Sequence, residues 1–190
     1  MEDNKIMINI CLNAEEKDLL RNLVGKKLLK YRHDPLDKFD GETVYGRVEL
    51  FFDDSIILID YDYEPFPLFG SHDDEHPKFS IRKIVEEEAT SALKDVTQVD
   101  VKCNKTISEI ILIEDYVNIK WDGKQDCFRL LKAIEFKFAN YEIIIQGDYM
   151  IPLLDIFKGD NVTDMLKDID DEYKDDQETK FIAERSYIKL

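Results

Sequence analysis

The chain opens on an apolar run, Lys5 to Leu12, short enough for a strand. Asn13 follows, with Glu16 three residues on, the pairing of an N-cap with its reciprocal capping box, so a helix is expected from about residue 14. Leu19, Leu20, Leu23 and Val24 recur at helical spacing, and Gly25 stands where a left-handed C-cap needs a residue without Cβ, closing a helix over about 14–24. From His33 to Glu42, Pro35, Asp34, Asp37, Asp40 and Gly41 supply turn chemistry.

The period then changes to two. Val44 to Phe52 is rich in β-branched and aromatic residues, Asp53-Asp54-Ser55 interrupts it, and Ile56 to Tyr61 resumes, which is a hairpin pattern. A second hairpin is written later as Leu130 to Phe138, Ala139-Asn140 and Tyr141 to Gln146. A shift of 86 positions lays the first on the second without a gap. Glu49/Glu135, Phe52/Phe138, Ile57/Ile143, Ile59/Ile145, Asp62/Asp148, Tyr63/Tyr149 and Leu68/Leu154 are then identical. Self-similarity of this kind points to an internal duplication, 26–100 and 104–160, inside one compact domain of 190 residues. Alternation common to all hairpins is the competing account, and it leaves the Asp-Tyr pair beyond the strands unexplained.

Lys27 to Tyr31, Thr106 to Ile113, Phe79 to Val85 and Val96 to Lys102 read as further strands, while Glu86 to Leu93 fits either a strand extension or a helix. Gly159-Asp160-Asn161 precedes Val162, Met165, Leu166, Ile169 and Tyr173, an apolar stripe that predicts a C-terminal helix over about 161–174 with acidic residues on its other face. Phe181 to Leu190 is apolar enough to dock on the body. The expected fold is α+β: a mainly antiparallel sheet built from two tandem, similar β-rich halves, with a helix near each end.

Composition sharpens this picture. Hydrophobic residues at 44% under 36% charged residues make a packed core and argue against disorder. A formal charge of −16 would repel a phosphate backbone, so nucleic acid is not an expected partner and a basic protein is. No charge-free run approaches the roughly 18 apolar residues of a membrane span, and Glu2 and Asp3 stand where an export signal would be cationic. Cys11, Cys103 and Cys127 are odd in number, far apart and without CxxC spacing, the usage of a reducing compartment, so a cytoplasmic location is expected. The excess of Lys over Arg and of Ile over Ala suggests an AT-rich, bacterial genome.

Candidate chemistry is sparse. His72-Asp73-Asp74-Glu75-His76 offers consecutive metal-ligating side chains, with His72 and His76 on one face if helical. Gly70-Ser71 before it and Pro77 after it favour a loop, and the HExxH pattern has Glu where Asp73 stands. The C-terminal aspartates lack the Gly and terminal Glu of a calcium loop. Neither a nucleophile signature nor a phosphate-binding glycine motif is written, and no cofactor is implied. Between Tyr61 and Phe69 two prolines prevent a central strand, so large apolar side chains either display on a contact surface or fold back as a lid.

Tyr63, Phe66 and Phe69, with Trp121 beside Asp122-Gly123, are the candidate partner-binding residues, and His72 and His76 the candidate metal ligands. The leading expectation is a non-catalytic, acidic inhibitor, immunity-type or adaptor protein for a basic partner. A small metal-dependent hydrolase with its site near His72 and His76, and a structural or oligomer-forming module, are the alternatives.

Overall fold

The computed structural model describes residues 7–36, 42–67, 75–148, 151–174 and 178–190. They form a mostly antiparallel β-sheet of eleven strands with two short α-helices. The strands are β1 (Met7–Ile10), β2 (Lys27–Pro35), β3 (Glu42–Phe51), β4 (Ile56–Pro65), β5 (Glu75–Ile84), β6 (Val99–Thr106), β7 (Glu109–Trp121), β8 (Lys124–Phe138), β9 (Tyr141–Gly147), β10 (Leu153–Gly159) and β11 (Thr179–Lys189). The main path runs β11-β7-β8-β9-β10-β3-β2-β6, with β4 and β5 continuing from β3 and β1 lying parallel to β8.

Helix α1 (Ala14–Arg21) forms where the capping box predicted it. The Asn13 side chain accepts from the Glu16 N–H at 3.0 Å, and the Glu16 carboxylate accepts from the Asn13 N–H at 2.8 Å. Glu16 also accepts from the Ile81 N–H at 3.0 Å, which fastens the helix to β5. The helix ends three residues earlier than the 14–24 expected. Leu23 to Gly25 are a turn instead, and the Gly25 N–H bonds the Ile107 carbonyl, drawing the chain back to the sheet.

Two long strands change neighbour partway, which lets one chain of pairings wrap a common core. β3 pairs with β10 through residues 42–45 and with β4 through 47–51. The break falls at Gly46, whose φ is +25° and whose N–H bonds the Pro152 carbonyl at 3.0 Å; a Cβ there would lie 2.5 Å from the Tyr61 carbonyl oxygen. β8 pairs with β1 through 127–130 and with β9 through 133–138. The central core draws Leu20 and Leu23, Tyr31 and Leu50, Ile59 and Phe79, and Leu112, Ile134, Phe136 and Ile145 from across these elements.

The C-terminal helix expected over about 161–174 is broken into two pieces: a 3-10 turn at Val162–Met165, then α2 (Ile169–Glu172). Leu166 is extended, with ψ 134°, and Asp168 starts a new turn by accepting from the Asp170 N–H at 2.9 Å. Val162 and Tyr173 of the apolar stripe are buried and Leu166 and Ile169 half-buried, while Met165 is exposed, so the stripe is not one continuous packed face. The segment after it is a strand, β11, paired along its full length with β7.

Candidate functional site

Between β10 and β11 the chain crosses the sheet as an acidic arm, residues 160–174. Asp160, Asp164, Asp168, Asp170 and Asp171 are exposed along it, against Lys167 and Lys174. With Arg185 and Tyr187 of β11, Thr163, Asp164 and the residues Leu166 to Ile169 enclose an open groove of about 410 Å³. Met165, 57% exposed, stands on the arm, and Tyr187, 55% exposed, forms part of the groove wall.

The arm is held from beneath by buried polar groups. Val162 packs with Ile113, Ala133 and Ile144, its N–H bonding Glu142 at 3.1 Å, and the Thr163 hydroxyl bonds Glu135 at 3.1 Å. Asp115 of β7, fully buried, faces its register partner Arg185 of β11. The guanidinium donates twice to this carboxylate, at 2.7 and 2.8 Å, and once to the Lys167 carbonyl at 2.7 Å. The Tyr173 hydroxyl lies 3.3 Å from the same carboxylate.

A bulge supplies the second pair. The β7–β8 register passes from Ile113↔Ala133 to Glu114↔Leu131, leaving Lys132 opposite no residue of β7. Lys132 is buried; it donates to the Gly147 carbonyl at 2.7 Å and pairs with Glu172 of α2. Two acids and two bases therefore close on one another under the arm. Such a set fixes geometry while leaving no net charge in the interior.

Other buried ionisable groups serve local packing. On the opposite face of β7, Glu114 pairs with Lys17 at 3.3 Å and with Arg129, and burial together with the Glu114 charge pushes the Cys11 thiol up to about 12. Asp34 accepts from the Ala92 N–H at 2.7 Å. Glu49 is buried near it, 3.2 Å from Gln98 Nε2 and 3.3 Å from Arg47 Nε, and burial raises its carboxyl above the ordinary range.

The structure scatters the residues singled out from sequence. Tyr63 is exposed near the outer end of β4, and Trp121 is exposed at the tip of the β7–β8 hairpin with Lys124 Nζ 5.8 Å from its ring. Phe66 is only 4% exposed, stacked edge-on against Phe128 at 5.3 Å and 5.2 Å from the His76 ring. His76 is buried on β5 with Nδ1 2.7 Å from the Pro77 carbonyl, and burial lowers its pKa. Phe69 and His72 lie outside the described residues.

Phe66 and His76 are thus brought together, in a small apolar cluster. Among the described residues no group of three or more His, Cys, Asp or Glu side chains is placed to hold a metal ion. No helix among them is long and apolar enough to cross a membrane. Sequence reasoning missed Asp115, Lys132, Glu172 and Arg185. The available signal was the first two: Asp115, with Glu114, and Lys132 are charges inside otherwise apolar strand runs.

In comparison with known proteins, the chain matches no protein family, no curated protein and no solved structure.

Proposed function

We propose that this chain is a non-catalytic binding module that takes a basic segment of a protein partner into the groove between the acidic arm and β11. The observation that carries this reading is the arm itself. Asp164 and Asp168 line an open groove with Leu166, Ile169 and Tyr187, on an arm that exposes three further aspartates and whose base is pinned by buried ion pairs. Carboxylates on the arm steer a cationic partner, and Leu166, Ile169 and Tyr187 supply apolar contact in the groove. A pinned arm presents those groups with little ordering left to lose on binding.

The test is capture by immobilised full-length chain from the native source, compared with the Asp164→Lys/Asp168→Lys variant. A stoichiometric basic protein held at low salt, released at high salt and lost from the variant is the expected result. Equal retention by the variant overturns the groove as the site, and the lack of any basic partner overturns the function.

We infer further that the chain arose by duplication of a β-rich unit. The supporting observations are paired features at matching positions. Val48↔Ile59 in the first hairpin becomes Ile134↔Ile145 in the second under the same shift of 86. β2 adjoins β3 in one half and β7 adjoins β8 in the other, while β6 at the junction of the halves adjoins β2 and β11, which follows the second half, adjoins β7. Each of the β2–β3 and β7–β8 pairs carries a bulge, near Gly46 and at Lys132, and 46 plus 86 is 132. Chemical shifts reporting the same backbone irregularity at both positions are expected, and regular strand at either one removes the inference.

A further inference from the structure

We propose that residues 85–98 form a strap over the face of β2–β5 turned away from the central core, and that a proton held by the buried acid pair Asp34 and Glu49 keeps it closed. Alternation defines the face. Val48, Ile59 and Ile81 enter the central core, so Glu49, Leu58, Asp60 and Arg82 point the other way. Between β5 and β6 the chain forms no strand; it makes a 3-10 turn, Glu86–Glu88, and lays Ala89 on Phe51, Leu58 and Ile84. Hydrogen bonds between strap and sheet involve charged side chains. Arg47 donates to the Glu88 carbonyl at 3.2 Å and Arg82 to the Glu88 carboxylate at 2.9 Å. Asp34 accepts from the Ala92 N–H at 2.7 Å, and Glu49 from Gln98 Nε2 at 3.2 Å.

The charges beneath the strap do not balance. Asp34 and Glu49 are wholly buried on neighbouring strands. Among the described residues the one cation within ion-pair distance of either is Arg47, whose Nε lies 3.3 Å from Glu49. Asp34 Oδ1 is buried with no hydrogen-bond partner among them. The surroundings supply no second base. Arg32, opposite Glu49 on β2, is held by Asp100 of β6 at 2.7 and 3.3 Å, and Arg82 of β5 is held by Glu88. Asp60 of β4, opposite Arg47, and Glu86 on the strap add negative charge, while His33 beside Asp34 stacks on Tyr31 at 6.0 Å. Two buried acids against one base leave one charge in excess, and a proton removes it at least cost. Burial, with the Asp34 charge adding to it, raises the Glu49 carboxyl against the opposing pull of Gln98, Arg47 and Arg32.

Opening the strap lets water reach Glu49 and returns its carboxyl to the ordinary value of 4.5. The closed form therefore binds the proton more tightly than the open one. Opening is least favourable below pH 4.5, grows by up to about tenfold per pH unit as pH rises toward the raised value, and then levels off. Once both acids are ionised they repel each other, and they are the anchors of Ala92 and Gln98. A shift of 86 positions finds a similar fastening under the acidic arm. Glu135 accepts from the Thr163 hydroxyl at 3.1 Å, and Ile144, matching Leu58, packs with Val162 as Leu58 packs with Ala89.

The test is amide exchange on the full chain between about pH 4 and pH 7, expressed as protection after correction for the intrinsic rate. The Ala92 N–H reports the strap; the buried Ile107 N–H, bonded to the Lys26 carbonyl at 2.9 Å, reports the body. In the wild type, Ala92 protection should fall by about tenfold or more across this range while Ile107 holds steady. Glu49→Gln has no proton to lose and should stay protected throughout. Asp34→Asn keeps a carbonyl for the Ala92 N–H but removes the opposing charge, so its fall should be smaller. The carbon-13 resonance of the Glu49 carboxyl, titrating above 4.5 in the wild type, follows the proton itself. Constant Ala92 protection in the wild type overturns the proposal, as does a fall that Glu49→Gln leaves in place or that Asp60→Asn abolishes. None of these residues lines the groove beside the acidic arm, so the outcome is separate from partner binding.

Discussion

Arg185 and Asp115 face each other across β11 and β7, joined by two parallel hydrogen bonds at 2.7 and 2.8 Å and both buried at the side chain. Removing one partner strands the other's charge where water cannot reach it. Arg185→Ala is therefore expected to cost about 3–5 kcal/mol in urea unfolding. The double change Arg185→Met/Asp115→Leu should cost less than that single one. A loss under about 1 kcal/mol for Arg185→Ala would show that the pair does not hold the arm.

A Cβ on Gly147 would fall on the Tyr61 ring, and the Tyr61 hydroxyl donates to the neighbouring Asp148 carbonyl. The two groups occupy each other's space, joining β4 to the end of β9. Gly147→Ala should destabilise by about 1–3 kcal/mol through overpacking. The same change in a Tyr61→Leu background should cost distinctly less, and an additive double mutant would refute the contact.

His76 has its pKa lowered, chiefly by burial and secondarily by Lys132, against the favourable Pro77 carbonyl and Asp148. A base held neutral in the fold binds its proton first when unfolded. Its contribution is present above the ordinary value of about 6.5 and lost as pH falls through that value toward the lower folded one, at up to about 1.4 kcal/mol per pH unit. His76→Phe, which keeps an aromatic ring against Phe66 and Phe128, should flatten this part of the profile. Identical profiles for the two proteins between about pH 7 and pH 5 would count against it.

Local signals were legible wherever a few adjacent residues decide the outcome. Asn13 and Glu16 announced α1 because both halves of a capping box lie within one turn. The two hairpins were legible because Asp53-Asp54-Ser55 and Ala139-Asn140 interrupt alternating runs. The β7–β8 hairpin is the longest in the molecule, and Asp122-Gly123 turns it with φ of 46° and 73°, yet apolar and charged residues mix along its arms and hid it. Over 161–174 the apolar residues recur at helical spacing, but that spacing alone does not reveal that Leu166 is extended between two separate turns. Of the groove, the aspartates were visible as charge; their anchoring was not.

What the sequence by itself determined is whatever acts between neighbours in the chain: caps, turns, the period of each strand and the balance of charge. Only the tertiary structure decided which charges meet, since Asp115 reaches Arg185 across seventy residues and Lys132 reaches Glu172 across forty. Partners that distant are set by sheet register and by where a bulge falls. Those depend on all the strands packing at once, so no local pattern encodes them.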